Sequence, residues 1–190
     1  MRAQGVVSGV VSGVVSGLVL GLVCAGSVRA QDVSYRFEWD GGGEYVMQGA
    51  LSFDPALLGK NPIIETDLTC FEIKGLDNGV EVGRWALQML LPDTTWRLTL
   101  DVETSEFVVF GEDAAMPQAW NMDGFGTNCG NPGFGFNIGN AAQDLCVDGA
   151  LIVESQVAPA RPFAVTRVGS VKFSPDACNP ELLLGALSLE

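Results

Sequence analysis

Apolar and polar side chains alternate with a period of two along several stretches of this chain, the pattern of strands that bury one face. In residues 33–39 the pattern places Val33, Tyr35, Phe37 and Trp39 on one face. The run Asp40-Gly41-Gly42-Gly43 then predicts a turn, and residues 44–53 resume as a strand. The sequence therefore predicts a β-hairpin near the start of the domain.

Similar patterns predict strands at 67–74, 80–91, 96–102, 106–110, 145–156 and 163–173. Asp77-Asn78-Gly79 is a tight-turn sequence, because asparagine and glycine tolerate positive φ. No stretch beyond residue 30 keeps a helical period over three turns. Together these features predict an all-β fold, an antiparallel sandwich or a flattened barrel.

The stretch 111–140 interrupts this alternation and contains seven glycines. It is either a long glycine-rich loop or several short irregular strands, and loops of this length in compact domains often carry function. We expect the β-sandwich domain to span residues 31–178. Residues 179–190 form a leucine-rich C-terminal tail that could be a short helix or an edge strand.

Residues 1–30 are interpreted as a signal peptide, with Arg2 before a long apolar stretch. Small residues at Val28 and Ala30 predict cleavage after Ala30. The alternative is an uncleaved membrane anchor, because the stretch is long enough to span a bilayer and its glycines recur every four residues. Contact with a membrane is expected only if this segment is retained.

Four cysteines remain beyond the leader, namely Cys70, Cys129, Cys146 and Cys178. An even number in an exported domain indicates two disulfides, for which three pairings exist. Pairing Cys129 with Cys146 would close a glycine-rich loop, and pairing Cys70 with Cys178 would tie the C-terminal segment to the sheet. No pair has the short spacing of a structural zinc site.

The charge balance excludes one class of partner. Beyond residue 30 the chain has eight basic against 23 acidic residues, a formal charge of −15 that repels nucleic acid. The whole sequence contains no histidine, so Ser-His-Asp and Cys-His nucleophiles and histidine-ligated zinc are excluded.

Three segments carry a resemblance to a family: residues 48–59, residues 64–71 and residues 100–110. They resemble a loose group of uncharacterised exported bacterial β-rich proteins, many of which carry a C-terminal PEP-CTERM sorting tail. This sequence lacks the Pro-Glu-Pro motif and the terminal basic residues of that tail. The resemblance implies an exported domain and no catalytic residues.

The sequence also contains candidate residues for two kinds of polar site, a pair of catalytic carboxyl groups and a calcium site. Glycoside hydrolysis needs two carboxyl groups, and the candidate pairs are Glu65 with Asp67, Asp101 with Glu103, and Glu112 with Asp113. Calcium prefers oxygen ligands near turns, and the candidate ligands are Asn121, Asp123 and Asn128. Solvated strand faces and ordinary turn chemistry are the competing interpretations of these residues.

Aromatic residues could stack on sugars if they are exposed. The sequence points to Trp120 and to three phenylalanines of the glycine-rich stretch, Phe125, Phe134 and Phe136. Burial in the core is the competing interpretation of aromatic residues. We therefore predict a secreted or periplasmic, non-enzymatic binding or structural domain that contacts a polysaccharide or an envelope protein. A secreted carboxylate-dependent hydrolase is the alternative.

Overall fold

The computed structural model describes residue 1 and residues 31–111, 116–122 and 124–179. Several sequence predictions lie outside these residues: the leader with its cleavage after Ala30, the Glu112–Asp113 pair, Asp123, and the tail beyond residue 179. Within the described ranges, no helix is both long and apolar enough to cross a membrane.

The described chain is built from thirteen strands. They are β1 (Val33–Asp40), β2 (Tyr45–Phe53), β3 (Ile63–Ile64), β4 (Leu68–Asp77), β5 (Val80–Ala86), β6 (Trp96–Arg97), β7 (Thr99–Asp101), β8 (Glu106–Phe107), β9 (Gln118–Asn121), β10 (Phe134–Ile138), β11 (Gln143–Val147), β12 (Ala150–Leu151) and β13 (Phe163–Val168). Single 3₁₀ turns occur at Pro55–Leu57, Glu65–Asp67, Leu87–Met89 and Val153–Ser155.

The strands form two antiparallel sheets. The larger sheet has the order β3-β7-β8-β13-β1-β2-β4-β5, and the smaller sheet has the order β12-β11-β10-β9-β6. One of the two sheets curls into half a barrel, and the inner faces of both sheets enclose one apolar core. The prediction of an all-β sandwich or flattened barrel is confirmed.

Local sequence explains the first two hairpins. The four alternate residues of β1 from Val33 to Trp39 are all less than 6% exposed, as the period-two pattern predicts. Asn78 and Gly79 connect β4 to β5 with φ values of 50° and 79°. These values suit the tight turn that asparagine and glycine favour. Here the pattern and the turn residues agree with the observed register.

Only part of the glycine-rich stretch is a loop. It contains β9 and β10, which pair with each other in the smaller sheet. The alternative of short strands therefore describes part of this stretch, and the remaining loop runs between Met122 and Gly133. In β10, Phe134, Phe136 and Ile138 alternate with small or polar residues and lie in the apolar core, and the residues between them are buried as well.

Aromatic rings fill the centre of the core. The indole ring of Trp120 lies between the two sheets, with ring-centroid distances of 5.6 Å to Phe37, 5.0 Å to Phe71, 5.1 Å to Phe107 and 5.1 Å to Phe136. These distances are in the range that tilted and edge-to-face aromatic pairs prefer. Trp120 therefore stabilises the packing of one sheet on the other.

Two disulfides join Cys70 to Cys178 and Cys129 to Cys146, the pairings that the sequence favoured. The first connects β4 to the segment after β13, and the second connects the glycine-rich loop to β11. Disulfides persist in oxidising compartments. The two bridges therefore indicate an extracellular or periplasmic type of environment.

The segment after β13 is fastened to the outer face of the larger sheet. The Arg84 guanidinium donates two hydrogen bonds to the Asp176 carboxylate, at 2.9 and 2.7 Å. Ser174 donates its backbone N–H and its hydroxyl to the Glu72 carboxylate. The hydrogen bonds from Arg84 lower the pKa of Asp176 to about 2. Together with the Cys70–Cys178 bridge, these contacts form a C-terminal clasp.

Candidate ligand-binding groove

The structure corrects the placement of three predicted sugar-stacking residues. Trp120, Phe134 and Phe136 are each at most 1% exposed, because β9 and β10 turn their aromatic faces into the core. Phe134 also packs against Gly75 and Gly83 of the opposite sheet, where a Cβ added to either glycine would lie 2.5 Å from its ring. These three rings hold the sheets together and cannot stack on a sugar from solvent.

Phe125 is the exception among the four. Its side chain is 83% exposed, although exposing a phenylalanine leaves a large apolar area in water. A single exposed apolar residue can be ordinary. The position of Phe125 within a fixed loop, beside a second aromatic residue, makes this one a candidate contact.

Two glycines fix the loop that carries Phe125. A Cβ on Gly124 would lie 1.7 Å from the carbonyl oxygen of Asn128, so only glycine fits. Gly126 has a φ of +66°, which glycine adopts without strain. The backbone of Thr95 donates to the Gly124 carbonyl at 2.8 Å, and the Thr95 hydroxyl accepts from the Gly126 N–H at 2.8 Å. The loop tip is therefore held on the segment that precedes β6.

Trp96 lies beside Phe125 on the same groove and is partly exposed. Its ring packs on the buried rings of Phe71 and Trp85, at centroid distances of 4.9 and 4.8 Å. The other three tryptophans are at most 2% exposed. Among the four tryptophans, Trp96 is thus the one with indole surface available to a ligand.

These residues line a groove of about 660 Å³ formed by residues 92–97 together with Met116 and Phe125, which we call the Phe125 groove. The volume lies within the range of small-molecule sites, about 300–1,000 Å³. Leu90 and Leu91 are also exposed and precede the groove in the chain. The groove therefore combines exposed apolar area with an open shape.

Asp93 and Arg97 supply the polar groups of the Phe125 groove. Both are exposed, and Arg97 donates one hydrogen bond to the carbonyl of Met116 at 3.3 Å. A guanidinium has five N–H donors, so Arg97 keeps donors for a ligand. The Thr94 and Thr95 hydroxyls already bond to backbone groups. The groove thus offers one acidic and one basic side chain beside two aromatic rings.

The predicted calcium ligands have other roles in the described residues. Asn121 is fully buried and donates its amide to the Gly126 carbonyl at 3.0 Å. Asn128 is exposed, and its side-chain oxygen accepts from the Gly130 N–H. Both amides therefore organise the glycine-rich loop. Across the described ranges, no group of three cysteine, aspartate or glutamate side chains could hold a metal ion.

The two acid pairs that the structure describes are engaged in local structure. Glu65 accepts from the Leu98 N–H, and Asp67 accepts from the Ile64 N–H and pairs with Lys60 at 2.6 Å. Asp101 accepts from the backbone of the turn that contains Glu103, which lowers the pKa of Asp101. A general acid needs a raised pKa, whereas the pKa of Asp101 is lowered.

One carboxyl group outside those pairs is unusual. Asp144 is 5% exposed, and this burial raises its pKa, while a hydrogen bond from Gln156 opposes the shift. It lies on the outer face of the smaller sheet, where it pairs across the strands with Asn137. Its partners are amides, and no second carboxyl group is paired with it in the register of this sheet.

Asp93, Trp96 and Arg97 line the groove but were not singled out from the sequence. A signal for Phe125 was nevertheless present. Phe134, Phe136 and Ile138 recur every second residue, as in a strand, whereas Phe125 stands alone between two glycines. An isolated aromatic residue between glycines indicates a loop tip and not a buried strand face.

Comparison with protein families, curated proteins and solved structures finds no match for this chain.

Proposed function

We propose that the protein is an exported, non-enzymatic binding domain that holds a polysaccharide in the Phe125 groove. The observation that carries this proposal is the 83% exposure of Phe125 beside the partly exposed ring of Trp96. The C–H groups on one face of a sugar ring carry slight positive charge, and the face of an aromatic ring is negative. Two aromatic rings along one open groove suit a chain of such sugars.

The polar groups of the groove support the same ligand class. Sugar hydroxyls donate and accept hydrogen bonds, and Asp93 is an acceptor while Arg97 is a donor. Ligand sites commonly combine apolar lining with a few polar groups that fix orientation. The Phe125 groove has both kinds of residue within the short segment before and in β6.

The fixed backbone also supports binding. The two Thr95 contacts hold the loop tip, and the Cys129–Cys146 bridge anchors its far end to β11. A loop that is ordered before the ligand arrives loses less conformational entropy on binding.

Export to the periplasm or the cell exterior belongs to this proposal. The sequence of residues 1–30 predicts a signal peptide, and the two disulfides favour an oxidising compartment. Polysaccharides are abundant outside the cytoplasm, so compartment and ligand class are consistent with each other. Binding is favoured over hydrolysis because the described acid pairs are occupied in turns and caps.

The test uses the fluorescence of Trp96, the tryptophan with exposed indole surface. Neutral oligosaccharides such as cellohexaose, xylohexaose, mannohexaose and chitohexaose are titrated into the mature domain, and tryptophan emission is recorded. We expect one of them to shift the emission and Phe125→Ala to weaken its binding by about tenfold or more, as for an aromatic contact at the centre of an interface.

Val153→Ala is the matched control, because Val153 is 67% exposed and is not a lining residue of the groove. It should leave affinity unchanged. Equal binding by Phe125→Ala and the unmodified domain, or no binding of any neutral glycan, would refute the proposal.

A further inference from the structure

A second cleft lies on the outer face of the larger sheet and shares no lining residue with the Phe125 groove. Its volume is about 580 Å³. The floor is Ala50, a small residue on the central strand β2, and the walls are long polar side chains on the neighbouring strands. We call it the Ala50 cleft.

Strand register explains the shape of this cleft. One row of outward side chains crosses β13, β1, β2 and β4 as Thr166, Arg36, Ala50 and Glu72. The next row crosses β1, β2, β4 and β5 as Glu38, Gln48, Lys74 and Arg84. Neighbouring strands lie about 4.8 Å apart. The backbones at Arg36 and Glu72, two strands apart on either side of Ala50, are therefore separated by about 9.6 Å. The short side chain of Ala50 creates the depression.

Most of the acidic groups around the cleft have partners within the protein. The Glu38 carboxylate accepts a hydrogen bond from the Gln48 amide at 2.7 Å. The Glu72 carboxylate accepts two hydrogen bonds from Ser174 in the C-terminal clasp. These contacts direct both carboxylates to neutral donors.

Two cations of the cleft are left without such partners. Arg36 and Lys74 are exposed and form neither an ion pair nor a side-chain hydrogen bond with any residue that the structure describes. Beyond residue 30 the chain has eight basic residues in total, and three of them line this one cleft. An unpaired arginine and lysine therefore face one depression in a strongly acidic domain.

We propose that the Ala50 cleft binds a carboxylate-bearing saccharide, such as a polymer that contains uronic acid. The carboxylate of one sugar would lie between Arg36 and Lys74, where charged hydrogen bonds are stronger than neutral ones. Sugar hydroxyls would donate to Glu38 and Glu81 and accept from Gln48, all of which line the cleft.

The mixed charge of the walls selects this ligand class. A ligand with only anionic groups would face the carboxylates of Glu38, Glu72 and Glu81. A ligand with only cationic groups would face Arg36, Lys74 and Arg84. One carboxylate among several hydroxyls satisfies both kinds of side chain, and a low charge density limits repulsion by the acidic domain as a whole.

The experiment titrates trigalacturonate and its neutral counterpart galactotriose into the mature domain by calorimetry. We expect the acidic sugar to bind more tightly. The double variant Arg36→Gln/Lys74→Gln should weaken its binding by about a hundredfold, about tenfold for each charged contact removed. Both side chains are exposed, so the variant should fold, and thermal unfolding checks this.

Arg167→Gln is the matched control, because it removes one positive charge from an exposed site outside the cleft. It should leave trigalacturonate binding within about twofold, since distant surface charges are screened by salt. Phe125→Ala should also leave it unchanged, so a failure of the Phe125 groove and a failure of this cleft are distinguishable.

The inference is overturned by any of three results: galactotriose binds as tightly as trigalacturonate, the double variant keeps full affinity, or Arg167→Gln loses as much as the double variant. A tetraglutamate peptide provides the last arm. If it binds at the same site as tightly as trigalacturonate, the cleft recognises carboxylates on peptides and the saccharide assignment is wrong.

Discussion

Removing the two disulfides one at a time should separate their effects on the stability of the fold from their effects on glycan binding in the Phe125 groove. The Cys70–Cys178 bridge fastens the C-terminal clasp and spans 108 residues of sequence. The Cys129–Cys146 bridge anchors the loop that carries Phe125 and spans 17 residues. Each bridge is replaced by two alanines, with the other bridge left intact.

The loop lengths set the expected magnitudes. A disulfide restricts the unfolded chain, and the lost entropy grows with the logarithm of the loop length. This relation gives about 4.8 kcal/mol for the Cys70–Cys178 bridge and about 3.1 kcal/mol for the Cys129–Cys146 bridge. The longer bridge should therefore contribute about 1.7 kcal/mol more to the free energy of unfolding.

The effects of the two bridges on glycan affinity should follow the opposite order, with the shorter bridge mattering more. Loss of the Cys129–Cys146 bridge releases one end of the loop that presents Phe125, and the loop then loses more entropy when a ligand orders it. Glycan affinity in the Phe125 groove should fall, although this bridge contributes less to stability. Loss of the Cys70–Cys178 bridge should leave that affinity unchanged in conditions where the variant is folded.

The assays are urea unfolding at neutral pH, monitored by circular dichroism, and glycan titration, monitored by tryptophan fluorescence. Addition of reductant to the unmodified domain provides an independent check on both variants. The reasoning is refuted if the shorter bridge contributes more to stability than the longer one. It is also refuted if reduction leaves the free energy of unfolding unchanged.

Three further predictions concern packing and pH. Gly135→Ala should lower the free energy of unfolding by about 1–3 kcal/mol, because its Cβ would lie 2.4 Å from a buried amide oxygen. Gly139→Ala is the control: its Cβ would meet nothing within 4 Å, and the free energy of unfolding in the same urea assay should not change. Asp176→Asn should lower the free energy of unfolding by about 0.5–1 kcal/mol at neutral pH, a modest loss because the ion pair with Arg84 is partly exposed. The pKa of Asp176 is lowered to about 2, so its contribution is present above the ordinary aspartate pKa and is lost as pH falls towards 2; the variant and the unmodified domain should converge there. Burial raises the pKa of Asp144, so the charged form destabilises the fold as pH rises; Asp144→Asn should raise the melting temperature at neutral pH and have no effect in acid.

Much of the larger sheet could be predicted from the sequence because its signals are local. Alternation in residues 33–39 marks the buried face of β1, and Asn78-Gly79 marks the turn after β4. Both features depend on neighbouring residues alone. The two disulfide pairings were also favoured correctly, from the segments that each pair would connect.

The candidate sites could be predicted only in part. Phe125 was identified together with Trp120, Phe134 and Phe136, but composition could not separate one exposed ring from three buried ones. That difference depends on which strands pair and which face each strand turns towards the opposite sheet. The Ala50 cleft was not predicted, because its side chains come from five strands whose pairing and register were not known, and one of them, β13, is distant from the others in sequence.

The amino-acid sequence by itself determined the class of the fold, the positions of the early strands and turns, the acidic charge and the absence of histidine chemistry. These properties follow from short-range periodicity and from counts of residues. Only the tertiary structure decided which aromatic rings are exposed, which carboxyl groups are engaged, and where unpaired cations meet. Those outcomes depend on long-range strand pairing, which brings together residues more than a hundred positions apart in the chain, such as Arg36 and Thr166.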